Sequence, residues 1–231
     1  GSLTREPGEN VGSYSIQQGS LTLNANYSLT FSNGTFSIYS RAITIIANDQ
    51  SKTYGDSLDL GSTLFSVSGT LLPGDSISTV TLSSPGALPN ANAGTYNIVP
   101  SNAAGSGLQN YDISYQNGTL TVNKKNLIVS ADNKNTQYGD PAPPLSFSLS
   151  GFVNNDSISD LDNSNFDIST SYSPGDPVGI YPISITQGTA NDNNYNFQFN
   201  NASLNVSTRN ISVQADHISK LYGQNDPPLT F

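Results

Sequence analysis

Apolar and polar residues alternate in short runs along the whole chain. The runs ITIIA, STVTLSS, GTYNIV and GTLTVN, which begin at Ile43, Ser78, Gly94 and Gly118, place apolar side chains mainly at every second position. This period of two predicts strands with one buried and one solvated face. No stretch has the spacing of an apolar helix face, so the pattern predicts an all-β chain.

Glycine, proline, asparagine and aspartate separate these runs. Asn117-Gly118 lies between two alternating runs, and Asn33-Gly34 holds the same place near the N-terminus. An Asn-Gly pair favours the two positive φ angles of a type I′ turn. Both pairs therefore predict hairpins.

Two series of tyrosines indicate an internal repeat. SKTYGD, NTQYGD and SKLYGQ place Tyr54, Tyr138 and Tyr222 84 residues apart. NYSLTF, NYDISY and NYNFQF give the same spacing to another series, Tyr27, Tyr111 and Tyr195. Two landmarks with one period predict repeated modules. The chain then holds the C-terminal half of one module (1–41), two complete modules (42–125 and 126–208) and the N-terminal half of another (209–231).

Each module carries six or seven short strands, with turn signals every 8–12 residues or so. This pattern favours a small Ig-like Greek-key sandwich of antiparallel strands. In such folds a tyrosine near the start of a late strand donates its hydroxyl to the preceding backbone, and a glycine two residues earlier would permit the close approach. The predicted corner pairs are Gly12 with Tyr14, Gly94 with Tyr96, and Gly179 with Tyr181.

These motifs, in this order, resemble the MBG and YDG repeat domains that occur in tandem in very large secreted bacterial adhesins. The resemblance rests on SKTYGD, GDSIS, GTYNI and NYDISYQNGTLTV, with LTREPGENVGSY near the N-terminus, and it covers nearly the whole chain. It implies an extracellular, filamentous-haemagglutinin-like adhesin whose repeats form a stalk. The family's link to mucin-binding-type modules and to a β-grasp-like description leaves a β-grasp fold open as an alternative. The last module departs from the pattern, because Gln224 stands where the others carry Asp56 and Asp140.

Composition narrows the classes of partner. Only 11% of residues are charged, the net charge is −9, and lysine and arginine together number 8. So few cations form no basic stripe, and neither nucleic acid nor an anionic membrane surface is an expected partner. No apolar run reaches the ~20 residues of a membrane helix, so no membrane insertion is expected. The absence of cysteine suits a secreted or surface-exposed bacterial chain.

Candidate catalytic groups are few. The single histidine, His217, stands where the other modules carry Asp49 and Asn133, and there is no cysteine. The chain therefore has too few of the residues that a zinc site or a catalytic triad requires. Asp75 and Asp156 recur before SIS, where a turn aspartate that caps its own backbone is the simpler interpretation. Because these acids repeat with the module and no cleft is expected, we predict no enzyme activity.

Two oxygen-rich stretches, 160–167 and 191–194, are candidates for binding Ca²⁺, which prefers carboxylate and amide oxygens. Neither matches the spacing of an EF-hand loop. The candidate ligands are Asp160, Asp162, Asp167 and Asp192. No other cofactor is expected.

Aromatic side chains offer a third possibility, because they stack on sugar rings. Most of the tyrosines and phenylalanines lie in phase with the strands or in the corner, where a core role is expected. Tyr39 and Tyr172 are less easily placed. These two are the candidate contacts for host or matrix glycans.

These patterns favour a non-catalytic stalk or spacer, in which each module meets its neighbours in the same chain. One alternative is a glycan- or mucin-binding adhesive module. Another is a self-associating filament segment, in which 209–231 of one chain and 1–41 of another form a module between them. That exchange is suggested by sheet edges that would otherwise be open.

Overall fold

The computed structural model describes all residues from 1 to 231. Its regular structure consists of β-strands and three single-turn 3-10 helices, without an α-helix, which confirms the all-β prediction. The chain divides into two compact units, Gly1–Lys125 and Asn126–Phe231, and this division falls where the sequence separates the two complete modules. None of the helices has the length and apolar character of a membrane-spanning helix.

The first unit contains an incomplete module followed by a complete one. The incomplete module has three strands: β1 (Thr4–Arg5), β2 (Gly12–Gln17) and β3 (Gly34–Ile38). The complete module has seven: β4 (Arg41–Ala47), β5 (Gln50–Thr53), β6 (Phe65–Ser68), β7 (Ser76–Ser83), β8 (Gly94–Ser106), β9 (Tyr111–Gln116) and β10 (Gly118–Asn123). Its two 3-10 helices are Pro85–Ala87 and Leu108–Asn110.

The second unit contains the other complete module. Its seven strands are β11 (Lys125–Ala131), β12 (Lys134–Gln137), β13 (Phe147–Ser150), β14 (Asp167–Thr170), β15 (Gly179–Thr186), β16 (Tyr195–Asn200) and β17 (Ala202–Ser207). A 3-10 helix spans Ile158–Asp160. Residues 208–231 contain no strand.

Both complete modules have the same two sheets. Their strand orders are β6-β4-β9 and β5-β10-β8-β7 in the first unit, and β13-β11-β16 and β12-β17-β15-β14 in the second. Strand β4 runs parallel to β9, and β5 runs parallel to β10. The sheets are therefore mixed, not purely antiparallel as predicted. Alternation of side chains along a strand carries no record of the direction of its neighbour.

The core of each complete module lies between its two sheets. Ile45 of β4 and Leu120 of β10 are both fully buried in the first unit. In the second unit Leu204 and Val206 of the four-stranded sheet pack with Ala131 of the three-stranded sheet. Two sheets that bury their facing sides form a sandwich. The β-grasp alternative is wrong, because no α-helix is present to pack on a sheet.

The chain passes from one sheet to the other between the first two strands of each complete module, and again between the last two. Only Asn117 separates β9 from β10, yet the two strands belong to different sheets. Neither Asn117 nor Gly118 has a positive φ, so the predicted hairpin at this pair is wrong. The hairpin predicted at Asn33-Gly34 is also wrong, since residues 18–33 form no strand.

The crossing at Gly118 is a place where two chain segments touch. A Cβ on Gly118 would lie 2.4 Å from the carbonyl oxygen of Ala47. Asp49 Oδ1 accepts a hydrogen bond from the backbone N–H of Thr119 at 2.7 Å. The corresponding bond in the second unit joins Asn133 to the N–H of Ser203 at 2.8 Å. Asn-Gly thus marks a bend between sheets in this fold.

Candidate functional site

Three tyrosine hydroxyls donate to backbone carbonyls four residues earlier. The pairs are Tyr14 with Asn10 at 2.7 Å, Tyr96 with Asn92 at 2.9 Å, and Tyr181 with Pro177 at 2.7 Å. The tyrosines lie near the start of β2, β8 and β15. Each bond ties the beginning of a strand to the loop before it, which is the geometry of a tyrosine corner.

The glycines of these pairs are not needed to make room for neighbouring atoms. A Cβ on Gly94 would meet no atom within 4 Å, and one on Gly179 would meet only the Tyr181 ring at 4.0 Å. The expectation of a close approach is therefore wrong. Gly12 and Gly94 have φ angles of +157° and +149°, which L side chains rarely adopt. Gly179 has no positive φ, so the backbone conformation does not require a glycine in the third pair.

A second tyrosine in the first complete module closes on a distant turn. Tyr111 Oη donates to Asp75 Oδ2 at 2.7 Å and accepts the backbone N–H of Leu72 at 2.8 Å. The turn itself is closed by a bond from the N–H of Asp75 to the carbonyl of Leu72. Loss of hydration raises the pKa of Tyr111. We call this arrangement of tyrosine, aspartate and turn amide the tyrosine latch.

The second complete module has the same latch. Tyr195 Oη donates to Asp156 Oδ2 at 2.7 Å and accepts the N–H of Val153 at 3.0 Å. These contacts were not predicted from the sequence, in which Asp156 was interpreted as a cap on its own backbone. Both partners recur in each complete module, and that joint recurrence is the signal that could have found the pair. The latch holds the edge strand β16 to a turn of its own module.

Tyr172 is not available to a glycan, and its predicted role is wrong. Its side chain is only 6% exposed and belongs to the core of the second unit. The hydroxyl donates to the carbonyl of Asp140 at 2.7 Å. The ring packs edge-on against Tyr181, with ring centroids 5.2 Å apart. Tyr172 follows β14 in a loop, where strand alternation gives no indication of which way a side chain faces.

Tyr39 lies in the two-residue connection between β3 and β4 and is 85% exposed. An exposed aromatic ring has a free face on which a sugar can stack. Tyr39 therefore keeps the exposed ring face that a glycan contact needs.

The candidate calcium ligands bond to backbone amides. Asp162 Oδ2 accepts the N–H of Asn193 at 2.9 Å, and Asp192 Oδ2 accepts the N–H of Asp162 at 3.2 Å. Asp192 Oδ1 also accepts the N–H of Tyr195 at 2.9 Å. These bonds clasp two loops together and fix the start of β16, which carries the latch.

The two other candidate calcium ligands, Asp160 and Asp167, are not among the residues that form this clasp. Asp160 accepts hydrogen bonds at 2.8 Å from both the hydroxyl and the backbone N–H of Ser157, in a capping box. The Ser157 hydroxyl is the main cause that lowers the pKa of Asp160, with its N–H as the second. Asp167 lies on β14. The structure brings no three acidic or histidine side chains together as a metal site.

Lys52 is a buried cation whose contacts are structural. Its Nζ donates to the carbonyl oxygens of Asp56, at 2.8 Å, and Leu88. Burial lowers the pKa of Lys52, and the Asp56 carboxylate opposes that effect. The second module has Thr136 at this position, and its hydroxyl donates to Pro141 O at 3.1 Å. Because the residue type changes between modules while the bond to the turn remains, a structural role accounts for both.

His217 is exposed in the segment after β17. A cavity of about 330 Å³ lies in the same segment, and its only charged lining residues, Lys220 and Asp226, form an ion pair with each other. Neither feature assembles a nucleophile with a base. The recurring polar contacts of this chain are backbone clamps.

The stretches of the chain that match a known protein family coincide with its modules. Three stretches, residues 1–37, 43–121 and 127–205, match the family described as MBG domain (YGX type). Comparison with curated proteins gave no match. The matched stretches follow the modules and cover well over half of the chain, which confirms the resemblance found in the sequence. The chain therefore belongs to the MBG domain family of the YGX type, in three tandem repeats.

Proposed function

We propose that this chain is a non-catalytic spacer in the stalk of an extracellular bacterial adhesin. The observation that carries the proposal is the repetition of one closed module. Each complete module has its own buried core and its own tyrosine latch. The MBG family suggests an adhesin-type repeat region. Modules that are individually closed can be strung together to project a distal part of a protein away from the cell.

Short connections support a spacer role. Only Lys124 lies between β10 and β11, and two residues lie between β3 and β4. Within the first unit, Asn110 bonds to the neighbouring incomplete module: its Oδ1 accepts the N–H of Val11 at 2.8 Å, and its side-chain amide donates to Asn10 Oδ1 at 3.0 Å. Such contacts would limit bending between successive modules.

Small-angle X-ray scattering tests this proposal. A compact chain of this length has a radius of gyration of about 17 Å, whereas an extended array should exceed roughly 25 Å. The particle should also show the distance distribution of a rod. A value near about 17 Å, with a symmetric distance distribution, would contradict the spacer model.

Glycan binding is the second candidate, and the exposure of Tyr39 favours it. A panel of labelled glycans and mucins should be screened with the chain, with Tyr39→Ala and with Tyr222→Ala, whose ring is fully exposed, as a control. Adhesive function predicts a reproducible ligand whose binding is lost only in Tyr39→Ala. Binding that survives this substitution would exclude Tyr39 as the contact.

A further inference from the structure

Asn117 is the single residue that joins the two sheets of the first complete module after β9. It connects β9, in the three-stranded sheet, to β10, in the four-stranded sheet. Its side chain is exposed and makes no hydrogen bond. The residue that follows, Gly118, has no side chain to shield its peptide nitrogen. Asn117 thus carries an unrestrained carboxamide directly before an uncrowded backbone nitrogen.

Asn201 occupies the equivalent position in the second complete module, between β16 and β17. Its Oδ1 accepts a hydrogen bond from the backbone N–H of Ile185 at 3.0 Å. The residue that follows is Ala202, whose Cβ crowds the peptide nitrogen. The Asn201 carboxamide is therefore held by a bond within its own module.

A proline removes this bond from the first complete module. In the two ladders, Ile98 and Ile183 lie opposite the residues that follow the two asparagines. Two positions further along each strand stand Pro100 in the first module and Ile185 in the second. Proline has no backbone N–H. The side chain of Asn117 therefore lacks the donor that its equivalent uses.

Other restraints on the two bends are alike. Asp49 Oδ1 accepts the backbone N–H of Thr119 at 2.7 Å. Asn133 Oδ1 accepts the backbone N–H of Ser203 at 2.8 Å. Each of these bonds holds the residue two positions after the asparagine. The two asparagines thus differ in their own side-chain bond and in the residue that follows them.

We propose that Asn117 is a site of spontaneous deamidation, at which the first complete module acquires aspartate or isoaspartate. When the bend opens locally, the peptide nitrogen of Gly118 loses its proton and attacks Cγ of Asn117. The new N–C bond replaces the C–N bond of the carboxamide, whose nitrogen leaves as ammonia. Water then adds to one of the two carbonyls of the resulting succinimide. Opening at one carbonyl gives aspartate, and opening at the other gives isoaspartate.

The products change both the charge and the backbone of the bend. Either product adds a negative charge to a chain whose net charge is already −9. In isoaspartate the main chain runs through the former side-chain methylene and is longer by that group. Because Asn117 alone separates β9 from β10, no loop can absorb the extra length. Isoaspartate should therefore loosen the first complete module and leave the second intact.

Peptide mapping by mass spectrometry tests the proposal on the whole chain after incubation in mildly alkaline buffer. Trypsin cleaves at Arg41 and Lys124, so the asparagines of interest fall in separate peptides. Asn117 should convert at least about tenfold faster than Asn201, because a hydrogen bond and a following Cβ both oppose ring closure at Asn201. Equal rates would overturn the proposal. So would an Asn117 that stays intact while Asn33, which also precedes a glycine, converts.

Ala202→Gly separates the effect of the side-chain bond from that of the following residue. The variant gives both complete modules an Asn-Gly pair, and Asn201 keeps its bond to Ile185. Asn201 should then still convert at least about threefold more slowly than Asn117, since its bond must first be broken. Equal rates in this variant would show that the following glycine alone sets the rate, and would overturn the role of Pro100.

The structural effect is measured on the aged chain itself. Anion exchange separates modified from unmodified chains by their charge, and urea unfolding compares their stabilities. Chains with isoaspartate at position 117 should unfold at lower urea than unmodified chains. Asn117→Asp is the matched control, because it has the added charge with an ordinary backbone, and it should unfold close to wild type. Isoaspartate chains as stable as this control would overturn the predicted loosening. Neither result bears on the spacer function.

Discussion

The two complete modules keep the same latch on turns of different construction. In the first module the turn runs through Pro73 and Gly74, and Gly74 has a φ of +94°, as in a type II turn. In the second module both central residues, Asn154 and Asn155, have positive φ, as in a type I′ turn. The position of the tyrosine hydroxyl is thus conserved between modules where the turn backbone is not.

Other equivalent positions differ more freely. Lys52 in the first module is replaced by Thr136 in the second, and both donate to the turn that follows. Gly118 is replaced by Ala202 at the bend between sheets. The comparison indicates that this fold is held by a small set of backbone clamps, and that the atoms which fill the space around them are interchangeable.

Core truncation should affect both modules most strongly. Leu120→Ala and Leu204→Ala remove equivalent, fully buried side chains, and each should lower the free energy of unfolding by about 2–5 kcal/mol. Urea unfolding followed by circular dichroism measures the change. Phe36→Ala is the matched control from the incomplete module, where the side chain is exposed, and it should cost less than about 1 kcal/mol. A Phe36→Ala loss as large as the others would show that the first half module has a closed core.

Removal of the latch hydroxyl should have the next largest effect. Tyr195→Phe leaves the carboxylate of Asp156 and the N–H of Val153 without the tyrosine, at a cost of about 1–3 kcal/mol. Tyr111→Phe should destabilise the first module in the same direction. Tyr39→Phe, on an exposed ring, should stay within about 0.5 kcal/mol of wild type. If both latch variants behaved like Tyr39→Phe, the latch would be incidental.

The two complete modules should respond differently to substitution at the bend between their sheets. Gly118→Ala introduces a Cβ against the backbone of Ala47 and should cost about 1–3 kcal/mol, because the strands must shift. The reverse change, Ala202→Gly, should cost only about 0.5–1 kcal/mol through added chain entropy. If both changes had the same effect on urea unfolding, the backbone segments would have to lie equally far apart at the two bends.

Alkaline pH should distinguish Tyr111→Phe from wild type. The pKa of Tyr111 is raised above its ordinary value of 10.0, mainly by loss of hydration. The folded state therefore favours the neutral phenol. Its contribution is complete below pH 10 or so and is lost as pH rises through the raised pKa. The stability advantage of wild type over Tyr111→Phe should be constant from pH 7 to about 9.5 and shrink above it; a constant advantage up to about pH 11.5 would refute this assignment.

Calcium should have the smallest effect. Since Asp162 and Asp192 accept backbone amides, millimolar Ca²⁺ and EDTA should give melting temperatures within about 1 °C of each other, less than the shift expected for 1 kcal/mol or so of ligand stabilisation. A clear rise in calcium, abolished in Asp192→Asn, would restore the metal hypothesis.

Strands and repeat were predictable from the sequence because both leave periodic traces. The partner of each strand was not, since Asn117-Gly118 fits a hairpin as well as a bend between sheets. The glycan contact predicted at Tyr172 was wrong for a related reason, because a loop residue has no alternation from which its burial can be inferred. The latch joins residues 36 and 39 positions apart in the two modules, so only recurrence of both partners, and not a fixed spacing, could have indicated it.

We infer that each complete module is stable by its own contacts. Amide hydrogen exchange of the whole Tyr195→Phe chain, measured by mass spectrometry against wild type, tests it directly. We predict faster exchange within 126–208 and unchanged protection in 42–125. An equal loss of protection in both modules would contradict the account, because it would show that the array unfolds as one cooperative body.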